Sequence, residues 1–236
     1  MKFGIIAEGR SDCAVIKNIL RGLDLIEMDD DVQFLRPRFN IDAMDIAKRE
    51  IPTENFSNWT LVKKDCEEGL KLREFFDLEN PFGEDRAIII QIDTAECEDV
   101  GYDVVKPNKK EATYCDDLRA EVIAKIQSWI NKPEIADQLF FAVCIEETEA
   151  WVHALYESKN TANFPDPKRA FDKYRSKKSQ TDKKFQKSEQ KLVNKNTFEK
   201  FNFYSKDFQK RKKLNASLKN NKSLADFVAD LSKLAS

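Results

Sequence analysis

Glu8 with Asp12, Asp93 with Glu96, Glu98 and Asp99, and the run Glu146-Glu147-Thr148-Glu149 form three acidic groups, each following an apolar segment that reads as a strand. In an open parallel sheet, ligands gather outside the carboxyl ends of the strands. Neighbouring strands therefore bring the three groups together although they lie far apart in the chain. Converging carboxylates repel one another unless a cation sits between them. Oxygen donors with no His or Cys among them suit Mg2+ or Mn2+. One such ion, or two held about 4 Å apart, stabilises the attacking and leaving oxygens of phosphodiester cleavage. Asp12 lies four residues beyond Glu8 and, at the start of a helix, faces the same ion. Acidic residues after strands have a plainer use as helix caps that meet the positive helix end. Capping alone explains any one group, whereas three in succession point to a site. Glu98, Asp99 and Glu146 are read as solvated rather than ligating.

The elements that carry these groups follow from hydrophobic pattern. Lys2 to Ala7 reads as a buried strand that turns through Glu8-Gly9-Arg10-Ser11 into an amphipathic helix bearing Ala14, Val15, Ile19 and Leu20. Ser11 or Asp12 suits its N-cap, since either side chain accepts from a free backbone N–H. Val32 to Leu35 reads as a second strand. Thr60 to Phe76 reads as one helix with Leu61, Leu70 and Phe75 buried. The β-branched run Ala87 to Ile92 suits a parallel strand covered on both faces, and an acidic loop follows from Asp93 to Pro107. Asp116 to Ile130 has helical spacing, Phe140 to Ile145 reads as a further buried strand, and a helix starts near Thr148 with Trp151 and Leu155. Strands alternating with helices predict an α/β fold with a mostly parallel sheet and flanking helices.

Two stretches bear a family resemblance. Phe3-Gly4-Ile5-Ile6-Ala7-Glu8-Gly9-Arg10-Ser11-Asp12 resembles the opening of TOPRIM domains, which occur in topoisomerases, primases and OLD-family nucleases. In OLD-like members a further acid four residues after the Glu is similar to Asp12. Glu147-Thr148-Glu149-Ala150-Trp151 resembles the E-x-E-A-W element of a bacterial TOPRIM-like family often associated with phage defence. The resemblance covers about residues 1 to 155. It implies catalysis by Glu8 and Asp93, with Glu8 as metal ligand or acid/base. It further implies that Asp12 and Asp93 complete a first ion site and that Glu147 and Glu149 serve a second. TOPRIM domains usually carry Asp-x-Asp where this chain has Asp93-Thr94-Ala95-Glu96. Ala95 cannot ligate, so either Glu96 substitutes or one site is weakened.

The chain of 236 residues has a net charge of −2 that conceals a division. Residues 167 to 222 hold 19 Lys and Arg against 5 Asp and Glu, a charge of +14, and the remainder carries −16. Lys210-Arg211-Lys212-Lys213 is the densest basic patch and the candidate contact for DNA or RNA phosphates. Aromatic residues interleave with these cations, from Phe171 and Tyr174 to Phe203, Tyr204 and Phe208. Most of them are assigned to a core, with base stacking as the alternative. A capped amphipathic helix from Ser223 to Ala235 implies that the tail is docked. The predicted organisation is an α/β domain over 1–158 and a basic, aromatic-rich helical extension over 159–236 packed on it.

Five cysteines without C-x-x-C spacing imply reduced thiols and a cytoplasmic protein. The longest apolar runs fall far short of the ~20 residues of a membrane span, so no membrane partner is expected. Walker A, G-x-S-x-G and G-x-G-x-x-G are absent, and His153, the lone histidine, has no nucleophile motif beside it. The functional expectation is Mg2+- or Mn2+-dependent phosphodiester hydrolysis on DNA or RNA, in a phage-defence setting. The rival is a sensor or binding subunit of weakened catalysis that partners an ATPase. A phosphate-ester enzyme acting on small molecules also fits an acidic metal site, and the basic tail counts against it.

Overall fold

A computed structural model of the chain describes residues 1–39, 57–79, 83–130 and 132–235. Four strands, β1 (Lys2–Ile6), β2 (Val32–Arg36), β3 (Arg86–Asp93) and β4 (Leu139–Cys144), form an all-parallel sheet in the order β2-β1-β3-β4. The predicted α/β class is therefore correct. β3 is central, paired to β1 from Lys2↔Arg86 to Ile6↔Ile90 and to β4 from Ile88↔Leu139 to Asp93↔Cys144. Its interior residues are buried on both faces, which is why the Ile-rich run carries no alternation.

Helix α1 (Arg10–Gly22) connects β1 to β2 and presents Cys13, Ile16, Ile19 and Leu20 to one face of the sheet. α2 (Trp59–Glu68), α3 (Leu70–Asp77) and α4 (Tyr114–Ile130) bury Val62, Leu72, Leu118, Val122 and Ile126 against the other. The chain thus leaves β1 on one side and enters β3 from the opposite side. This makes the carboxyl edge between β1 and β3 the topological switch point, where such sheets open a crevice.

Two expectations need correction. The stretch from Thr60 to Phe76 is two helices, because Gly69 takes a left-handed conformation (φ +61°) and closes α2 by donating to Asp65 O. Phe75 is buried as expected, but Leu70 is 51% exposed and Leu61 only partly buried. In α1 neither Ser11 nor Asp12 is the N-cap. Gly9 holds that position, without a side-chain cap, and both polar residues lie inside the first turn.

After β4 come α5 (Glu149–His153) and the helices of the tail: α6 (Pro167–Thr181), α7 (Lys183–Lys191), α8 (Thr197–Tyr204), α9 (Arg211–Leu218) and α10 (Lys222–Ser232). The tail is helical and docked, as its apolar spacing implies. Phe171, Tyr204, Phe208, Leu214, Leu224, Phe227 and Leu231 join Phe3, Ile5, Ile19 and Trp151 in one core. The side chains after residue 158 are therefore a substantial part of the packing on the α1 face. Each fully buried Leu, Ile or Phe there is worth ~1.5–3 kcal/mol of transfer free energy. All five cysteines are buried free thiols. Among the described residues, no helix is long and apolar enough to cross a membrane.

Candidate metal centre

The carboxyl edge of β1 and β3 gathers the acidic side chains. Glu8 follows β1 and is locked to β3 twice: its own N–H donates to Gln91 Oε1 at 3.0 Å, and its Oε1 accepts from the Asp93 N–H at 2.6 Å. The Trp59 N–H, at the head of α2, also donates to the Glu8 carboxylate. Asp93 ends β3. Its Oδ1 accepts from Gln91 Nε2 at 2.8 Å and from Thr148 Oγ1 at 3.2 Å, while the Tyr102 hydroxyl donates to its backbone carbonyl at 3.3 Å. Asp12, 5% exposed, accepts from the Ser11 hydroxyl at 3.4 Å and lies near the same Thr148 hydroxyl. Glu149, at the head of α5, completes the group.

The electrostatics follow from burial. Desolvation pushes the Glu8 carboxyl up to about 8, against the donation from Asp93 and helped by the nearby charges of Asp12 and Glu96. Desolvation likewise raises Asp12 to about 6, opposed by the Thr148 and Ser11 hydroxyls, and Glu149 to about 7, helped by Asp12 and Glu147. Asp93 is raised well above the usual carboxylate range, first by burial and then by the charges of Asp12, Glu8, Glu149 and Glu147. Among the described residues, no Lys or Arg forms an ion pair with any of these carboxylates. Among the described residues, four acids thus share one partly dry edge with no cation in ion-pair contact, the nearest influence being the Lys168 charge on Glu149.

The donors gathered here are all oxygens, the kind a hard divalent cation takes. Thr148 carries one hydroxyl proton yet lies within reach of both Asp12 and Asp93, so it cannot satisfy both when they are ionised. A cation or a shared proton must supply the difference. Among the described residues, no three His, Cys, Asp or Glu side chains are grouped closely enough to hold a metal ion as they stand. Glu8, Asp12, Asp93 and Glu149 are the residues that would hold an ion, with all-oxygen donors of the kind Mg2+ and Mn2+ take.

The other sequence candidates are placed differently. Glu147 is partly committed as a cap, its Oε2 accepting from the Lys168 N–H of α6 at 3.3 Å. Glu96 is exposed on the turn after Asp93, near enough for its charge to raise Glu8 but outside the hydrogen-bonded group. Glu146, in a left-handed turn (φ +63°), is held by Lys106 and Lys109, each at 3.0 Å, and is no longer free to ligate. His153 packs among Phe164, Phe171 and Tyr174, and burial pushes its imidazole down. It belongs to the core. Lys210, Arg211, Lys212 and Lys213 lie at the opposite end of α1. Lys210 pairs with Asp207 at 2.7 Å, and Arg211 Nη1 donates to Gly22 O at 3.4 Å. At about 1.5 Å per residue, the stretch of α1 from Asp12 to Gly22 separates that patch from Asp12 by about 15 Å.

Two residues that organise the edge were not singled out by sequence reasoning. Gln91, 1% exposed, touches Glu8, Asp93 and Thr148 at once; its only signal was one amide inside an isoleucine run. Thr148, 2% exposed, was overlooked between two glutamates. No protein-family model matches the chain, and no curated protein or solved structure matches it either.

Proposed function

We propose that the chain is a Mg2+- or Mn2+-dependent nuclease-type phosphodiesterase of TOPRIM-like character. The observation that carries this reading is the convergence of Glu8, Asp12, Asp93 and Glu149 at the β1/β3 switch point with no Lys or Arg among the described residues paired to them. A bound divalent ion supplies charge stabilisation to a phosphodiester and lowers the pKa of a coordinated water. The chain's own part is positioning. Gln91 and Thr148 fix the Asp93 carboxylate, and the Asp93 and Trp59 N–H groups fix that of Glu8. Glu8, fixed by the Asp93 N–H beside Asp12 and Asp93, is the candidate metal ligand or acid/base of the set. Ala95 does not interrupt this set, since none of the four acids depends on that position.

The test is calorimetric and enzymatic. Wild-type protein is expected to bind Mn2+ and to cleave plasmid or single-stranded DNA or RNA with Mg2+ or Mn2+. Glu8→Ala should lower the cleavage rate by at least about 100-fold, the scale of losing a general base or a metal ligand. Cleavage that survives Glu8→Ala unchanged excludes the mechanism. The rival reading, a binding or sensor subunit that partners an ATPase, draws on the exposure of Glu96, which leaves a second ion short of ligands. Nucleic-acid or protein binding with no Mn2+ uptake would favour it.

A further inference from the structure

The basic tail is not uniform in what its cations do. On the inner side of α6, Arg175 is committed to Glu189 at 2.8 Å and Asp172 at 3.0 Å and lies 4.5 Å from the centre of the Tyr204 ring. Lys178 pairs with Asp182 at 3.1 Å. On the outer side Lys168, Arg169, Lys173 and Lys177 are exposed, and none has an ion-pair partner among the described residues. Arg169, Lys173 and Lys177 are spaced by four, so they form one row with a rise of about 6 Å between successive charges. Like charges at that spacing disfavour a helix. The fold gains nothing from them, since α6 docks through Pro167 and Phe171 on its other side. The packed neighbour α7 continues the pattern with exposed Lys183, Lys184, Lys187 and Lys191 and no buried residue of its own.

The row starts at the carboxylate edge. The Lys168 N–H donates to Glu147 Oε2 at 3.3 Å, and the Lys168 charge acts on Glu149. The Lys210–Lys213 patch, at the far end of α1, has no such continuity. We propose that the outer face of α6, continued by α7, is the track along which a nucleic-acid strand is led to the carboxylates. The proposal rests on the metal-dependent reading for its destination, though not for the binding itself. The contact is to phosphate, because the tail's rings are engaged in packing: Phe171 and Tyr204 are 2% exposed, Phe208 is fully buried, and Tyr174 and Phe185 are half-buried against the same core. Binding along the track is therefore sequence-independent and steeply salt-dependent.

The experiment measures anisotropy of a fluorescein-labelled 20-nucleotide single-stranded DNA against the full-length protein in EDTA, at several salt concentrations. R169E/K173E/K177E is expected to weaken binding more than tenfold at low salt. The neutral R169Q/K173Q/K177Q should flatten the slope of log K against log salt by about 2, three phosphate contacts at ~0.7 each. K210Q/R211Q/K212Q/K213Q should bind as wild type does. Should the charge-reversed variant fail to fold, the neutral triple variant, checked by its melting temperature, decides the matter alone. Unchanged affinity and slope in the row variants overturn the proposal. So does wild-type protein that ignores DNA, or that binds only vesicles containing anionic phospholipid. Mn2+ calorimetry on the same proteins separates the two readings. DNA binding through the row without Mn2+ uptake keeps the track and removes the nuclease. Mn2+ uptake with DNA binding that ignores the row does the reverse.

Discussion

At the scale of single residues, the acidic edge couples protonation to stability. Burial raises Glu8 to about 8, Glu149 to about 7 and Asp12 to about 6, so the folded chain holds protons that an unfolded one releases near pH 4 to 4.5. Where the folded state binds more protons, stability falls as pH rises. For Glu8 that window runs from about 4.5 to 8. The expected outcome is a metal-free melting temperature lower by about 5 °C or more at pH 8 than at pH 5.5, on the usual scaling of free energy to Tm. Mn2+ should restore more at pH 8 than at pH 5.5, because metal binding displaces those protons. Glu8→Gln should flatten the metal-free profile. A melting temperature that climbs steadily through this window would contradict the buried, mutually repelling arrangement. The four acids were legible because each stands just after an apolar run, where fold geometry alone predicts convergence. Gln91 and Thr148 were not, because an amide or hydroxyl inside a segment gives no hint of which distant group it meets.

At the scale of elements, the link between β2, α2 and α3 is a buried charge cluster. Asp65 on α2 accepts from Arg36 Nη2 at 3.0 Å and from Lys71 Nζ at 2.9 Å, and also from Arg36 Nε. The three side chains are 10% exposed or less. Asp65→Ala removes the carboxylate that neutralises two buried cations, and is expected to cost about 3–5 kcal/mol. Urea denaturation reads this directly, and a loss under about 1 kcal/mol would mean that the cluster is solvated. The sequence reading ran Thr60 to Phe76 as a single helix because apolar spacing continues across Gly69. Only its φ of +61° reveals the break. The turn places Lys71 at the head of α3, from which it can reach back to Asp65.

At the scale of the whole molecule, the tail and the sheet are one packing unit. Trp151 donates from Nε1 to Ser223 Oγ at 2.8 Å and stacks on Phe227 with ring centres 5.3 Å apart, tying α5 to α10. At the other end of the same core, a Cβ on Gly22 would meet the Phe208 carbonyl oxygen at 1.9 Å. Gly22→Ala must therefore push α1 and the Lys206–Gln209 turn apart, at an overpacking cost of ~1–3 kcal/mol. The expected result is a lower urea midpoint with tryptophan fluorescence and far-UV dichroism still changing together. An unchanged midpoint, or separate transitions for sheet and tail, would show that the two are not mutually dependent.

The α/β class, the four strands and the docking of the tail were determined by the sequence itself. Apolar runs and helical spacing report burial, and burial is what secondary structure must satisfy locally. Tertiary structure alone decided which acids meet and which cations lie near them. Glu146 went to two lysines and Glu147 to a helix cap, and Lys210–Lys213 fell about 15 Å from Asp12 along α1. A charge acts through space, and the sequence does not record which end of a helix faces which edge of the sheet.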